Sequence, residues 1–114
     1  MINDLQRKGY TKDDISLLSL HTNSTRWIDL GTSVLTNSDR DKADKDFVNK
    51  LNSSLNEDDD IYSKLEQDNL DILRQSYGIK SALVEIEYIN GFRQDKLVSD
   101  DFRNTFIDKL LQAF

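Results

Sequence analysis

The chain has 114 residues and a formal net charge of −6, with no cysteine, no proline, one histidine and four glycines. This inventory excludes disulfide frameworks and metal sites built on paired histidines or cysteines, and the glycines at positions 9, 31, 78 and 91 are too scattered for a phosphate loop. The acidic balance argues against direct binding of nucleic acid or anionic membrane, whose affinity comes mainly from Lys and Arg neutralising phosphates.

The length fits one domain, residues 1–114. The N-terminus, Met1-Ile2-Asn3-Asp4-Leu5, carries no apolar stretch of the roughly 7–15 residues a signal peptide needs, and no run approaches the roughly 18 that span a bilayer, so a cytoplasmic location is expected. Seventeen Asp stand against four Glu, and Asp39 to Asp71 holds an excess of six acidic residues, which is the whole net charge.

In chain order, Thr11 can cap a helix carrying Ile15 and Leu18, or Ile15 to Leu20 can be a short strand after the turn at Gly9-Tyr10; both stay open. Leu5 to Ile15 is locally similar to the helix, turn and strand of a small bacterial general-stress domain family, a likeness of fewer than twenty residues that implies no function here. Trp27, Ile28, Gly31, Val34 and Leu35 read as a short helix ending near Asn37. Ser38 followed by Asp41 resembles a capping box, and Ala43, Phe47, Val48, Leu51 and Leu55 share one face, which predicts a helix from about Asp39 to Leu55.

Glu57-Asp58-Asp59-Asp60 reads as an acidic helix start, followed by Ile61, Tyr62, Leu65, Leu70, Ile72, Leu73 and Tyr77 on a wide apolar face that stops at Gly78. Ala82 to Ile89 alternates like a strand, and Asn90-Gly91 is a strong hairpin signal with Phe92 to Val98 as the return. Yet Ile79, Leu83, Ile86 and Ile89 also fit one helical face, and the balance leans to helix. Ser99 caps a final amphipathic helix with Phe102, Phe106, Ile107, Leu110, Leu111 and Phe114 on its apolar side. The sum is a mostly α protein, a small bundle of about four or five helices, with room for one short β-hairpin near 81–98 and an α+β chain as the alternative.

Chemistry is sparse. His21 can pair with Asp13 or Asp14 in principle, but a surface or turn histidine is the simpler reading. Calcium-loop registers beginning at Asp39 and Asn56 fail at the glycine and final-glutamate positions. Carboxylate pairs such as Asp68 with Asp71 read as a solvated helix face.

No catalytic residue, cofactor or metal is expected, and the chain is read as a non-enzyme. It is read as a binding module of inhibitor, immunity or regulatory type, a profile shared by phage-encoded antagonists. Asp39, Asp41, Asp44, Asp58, Asp59, Asp60, Asp68 and Asp71 would face the basic surface of another protein. The alternative is an assembly subunit, a homo-oligomer joined through its C-terminal helix; an Asp-based divalent-metal enzyme ranks last.

Overall fold

A computed structural model of the chain describes residues 2–24, 30–37, 42–68 and 79–114. The elements are α1 (Ile2–Arg7), a 3₁₀ turn (Lys12–Asp14), β1 (Ser16–Asn23), β2 (Thr32–Asn37), α2 (Lys42–Leu55), β3 (Ser63–Asp68), β4 (Lys80–Tyr88), a second 3₁₀ turn (Gln94–Val98) and α3 (Asp100–Leu111). The strands form one mixed sheet in the order β1-β4-β2-β3. β1 runs parallel to β4, β2 runs antiparallel to β4, and β3 runs parallel to β2. The β2–α2–β3 segment is a crossover unit, as a parallel pair requires.

Strand alternation sends Val34, Ala82 and Val84 to one face, where Phe47, Val48, Leu51 and Leu55 of α2 and Phe102, Phe106 and Leu110 of α3 bury against them. The Ser54 hydroxyl donates to the Lys109 carbonyl at 2.5 Å, and the Phe47 and Phe114 rings meet edge to face at 5.3 Å, tying α2 to the C-terminal end of the chain. The opposite face carries Leu35 and Leu83, with Leu17 against them. Among the described residues, helices packed on a mixed sheet therefore replace the expected bundle.

The departures have physical reasons. Residues 79–89 fit a helical face only by coincidence: residues 81–84 of β4 are all buried, and a central strand that is apolar toward both faces loses clean alternation. The 81–98 hairpin does not form. Gly91 N–H donates to the Tyr88 carbonyl, the chain enters the 3₁₀ turn, and β4 takes β1 and β2 as partners instead.

Val34 and Leu35 belong to β2, not to a helix, and residues 25–29 lie outside the described residues. Residues 63–68 form edge strand β3 rather than a helix; the rest of that expectation, residues 69–78, is also outside the described residues. Glu57 and Asp58 do not begin a helix: their N–H groups reach back to Ser54 and Leu55, closing the end of α2.

Ser16 onward is strand, while Thr11 forms a capping box with Asp14 over a single 3₁₀ turn. The predicted C-terminal helix is present as α3, with Ser99 Oγ accepting the Phe102 N–H at 3.3 Å and Asp100 and Asp101 in the first turn.

Candidate active site

His21 of β1 is the direct partner of Glu85 of β4, and Glu85 is in turn the direct partner of Ser33 of β2. Directly paired residues project to the same side of a sheet, with Cβ atoms about 4.5–5.5 Å apart in an antiparallel pair. Leu35 and Leu83, two pairs along and so on the same side, mark it as the face opposite α2 and α3. His21, Glu85 and Ser33 therefore stand in a line across three strands on one face.

The line sits near the carboxyl ends of the parallel strands β1 and β4, where open α/β sheets bind ligands. It also grades in accessibility: His21 is exposed, Glu85 half-buried and Ser33 fully buried. Ser19, two residues before His21 and on the same side, hydrogen-bonds His21 Nε2 through its hydroxyl at 2.9 Å and so orients the ring.

Ser33 Oγ is buried and has no hydrogen-bond partner. Such an unsatisfied hydroxyl costs about 1–3 kcal/mol, and native chains keep few of them. Thr36 Oγ1 is also unpartnered, but alternation places it on the helix-covered side near the far end of β2.

Below this row the strand ends are fixed by a second carboxylate. Glu87, 1% exposed, accepts the Gly31 N–H on both oxygens, at 2.8 and 3.0 Å. Arg93, from the turn after β4, brings Nε to 3.8 Å from Glu87 Oε1 and stacks its guanidinium over the Tyr62 ring at 4.6 Å. The same guanidinium donates to the Asp60 carbonyl and reaches the Asp60 carboxylate at 3.2 Å, and Lys96 reaches that carboxylate at 2.9 Å. Thr32 completes the junction, donating its N–H to the Tyr62 carbonyl at 2.7 Å and its hydroxyl to the Ile86 carbonyl at 2.7 Å. The starts of β2 and β3 are thus locked to the end of β4, next to Glu85.

The sequence-expected acidic surface does not come together. Asp44 is buried at 1% exposure and accepts the Ser81 N–H at 2.9 Å, so it joins α2 to β4 instead of facing a partner. Asp58 accepts the Asp60 N–H at 2.9 Å within the turn after α2. Asp59 is exposed, and Asp60 holds Lys96 and Arg93, which keep its carboxyl below the usual range, the Lys96 hydrogen bond contributing most. Asp68 closes β3, while Asp39, Asp41 and Asp71 lie outside the described residues.

His21, Glu85 and Ser33 were missed, since three strands distant in sequence bring them together. One signal was available: if 82–89 is a strand, Glu85 and Glu87 share a face, and two carboxylates on a largely buried strand ask for a role.

No family model matches the chain, and no curated protein matches it by sequence. Solved structures do. The catalytic domain of CwlV, an N-acetylmuramoyl-L-alanine amidase of Paenibacillus polymyxa, superposes with a TM-score of 0.75 at 19% identity over 86% of this chain and 54% of its own. The N-acetylmuramoyl-L-alanine amidase AmiC2 of Nostoc punctiforme gives 0.78 at 20% identity over 98% and 60%, and Ami1 of Mycobacterium smegmatis 0.72 at 16% over 86% and 51%. The fold is that of N-acetylmuramoyl-L-alanine amidases. The chain spans between 51% and 60% of the length of these amidase structures.

This corrects the expectation of an inhibitor, immunity-type or regulatory protein, and that of a self-associating subunit. The first rested on the acidic middle of the chain and the second on an apolar C-terminal helix in a bundle, and the non-enzyme reading on the scarcity of catalytic motifs; a sheet that matches amidase catalytic domains overturns all three.

Proposed function

We propose that the chain acts on the amide bond of N-acetylmuramoyl-L-alanine units, with Glu85 and His21 as its catalytic pair. The observation that carries this is their register partnership on one face, at the carboxyl ends of adjacent parallel strands, in a sheet matching amidase domains.

Amide hydrolysis needs a base for water and an acid for the departing nitrogen. Glu85 takes a proton from water as the oxygen attacks the carbonyl carbon. Protonated His21 delivers a proton to the nitrogen as the C–N bond breaks, and the proton on Glu85 passes to His21 to restore both. The net change consumes one water and leaves a carboxylic acid and the α-amine of L-alanine, the carboxyl proton then passing to the amine or to solvent.

A metal-bound water is the other common route, and a catalytic zinc takes three protein ligands. Among the described residues no group of three or more His, Cys, Asp or Glu could hold a metal ion; His21 and Glu85 are two donors. The described residues do not make such a centre on their own, and the two side chains are assigned acid and base roles.

The test is incubation of the purified protein with soluble N-acetylmuramoyl-L-alanyl peptides, counting new L-alanine amino termini by dinitrophenylation. Release is expected from the wild type and background from Glu85→Gln and His21→Ala. Full release by either variant would overturn the assignment.

A further inference from the structure

We infer that Ser33 is a positioning residue for Glu85, an inference that rests on the amide-hydrolysis reading above. Ser33 lies beside Glu85 in register on the same face, fully buried, with a hydroxyl that bonds nothing in the fold. A structural serine in a strand interior spends its hydroxyl on a neighbouring carbonyl, as Thr32 does with Ile86. Ser33 does not, and its Cβ is close enough to that of Glu85 for the hydroxyl to reach the carboxylate stem.

A carboxylate acting as base uses one oxygen on water. A donor on the other oxygen holds the carboxyl plane so that the working lone pair faces the attacking water. Ser33 O–H, unpartnered in the fold, would supply that donor from the buried side after a turn about its Cα–Cβ bond, while His21 stands on the open side of the same row. The line Ser33, Glu85, His21 then runs from orienting group to base to acid. Glu87, the other carboxylate on this strand face, is engaged with Gly31 and Arg93 and is not available to Ser33 as an alternative partner of the same geometry.

The inference separates structure from function at a single atom. Removing an unpartnered buried hydroxyl takes away no bond of the fold, so Ser33→Ala should melt at or above the wild-type temperature. Its kcat should nonetheless fall about tenfold with KM unchanged, because only the base is misoriented. In a Glu85→Gln background the same substitution should change the residual rate by less than twofold.

The experiment measures Tm, kcat and KM for wild type, Ser33→Ala, Glu85→Gln and the double variant on the soluble muramoyl peptide. Wild-type kcat in Ser33→Ala, a raised KM in place of a lowered kcat, or a lowered Tm overturns the role of Ser33 while leaving the amidase reading intact. A wild type that releases no amine overturns the amidase reading itself, and the role of Ser33 with it.

Discussion

Glu87 grips Gly31 with both carboxylate oxygens, at 2.8 and 3.0 Å, inside a part of the molecule where its side chain is 1% exposed. The Arg93 guanidinium and the Gly31 N–H both meet this charge, and together they hold the start of β2 to the end of β4. Truncation by Glu87→Ala removes the acceptor of a buried N–H and the counter-charge of a largely buried arginine. A loss of about 2–4 kcal/mol is expected. Glu87→Gln, which keeps an acceptor and drops the charge, should lose about half as much. Urea denaturation of the two variants checks the order, and equal stability of wild type and Glu87→Ala would contradict the latch.

Gly31 offers a second test of the same junction. Its φ of +110° is a conformation that side chains rarely adopt, and a Cβ there would lie 3.0 Å from the Tyr62 carbonyl oxygen. That oxygen already accepts the Thr32 N–H at 2.7 Å and cannot retreat freely. Gly9 has a similar φ of +99° but open space around it. Ala at Gly9 should therefore cost only the backbone term of about 1–2 kcal/mol, and Ala at Gly31 that amount plus the displacement of Tyr62. Melting curves of the two single variants should rank Gly31→Ala below Gly9→Ala.

Acid should loosen the turn between α2 and β3. The carboxyl of Asp60 sits below its ordinary value because Lys96 and Arg93 hold it ionised. A depressed folded-state pKa contributes stability that is present above the unfolded value and is lost as pH falls through the folded one. The loss at this site thus begins below about pH 4, the ordinary aspartate range. Asp60→Asn should flatten the acid limb of stability against pH and leave stability at neutral pH reduced by no more than a surface pair contributes, since Asp60 is half exposed. Urea denaturation followed by circular dichroism at 222 nm across pH 2–7 reads both.

Local rules read some of this molecule and missed the rest. α3 was legible because Ser99, Asp100, Asp101 and the Phe102, Phe106, Leu110 spacing all act within a few residues. β4 was not, since residues buried on both faces lose the alternation that marks a strand, and what makes them a strand is pairing with β1 and β2 far away in sequence. The same cause hid the site. His21 looked solitary because no other histidine exists in the chain, and its real neighbour, Glu85, is set by parallel register, which no local pattern encodes. Asp44 misled in the opposite direction: an aspartate in a charged helix reads as surface until a strand amide, that of Ser81, is found against it.

The His21–Glu85 pair also predicts how the chain handles zinc. One imidazole and one carboxylate on adjacent strands are competent donors, and Ser19 holds the ring nitrogen Nε2 at 2.9 Å, so the histidine enters any coordination already oriented. Two donors fall short of the three or four that closed sites use, and the free energy should fall well short of the roughly 10–16 kcal/mol of a full structural site. Isothermal titration of zinc into the purified chain is expected to give a dissociation constant weaker than about 1 µM. His21→Ala should remove the heat signal, and Glu85→Gln should weaken it relative to the wild type. Tighter binding that survives His21→Ala would place the metal elsewhere, and tighter binding that vanishes with His21 would show a third donor joining this row.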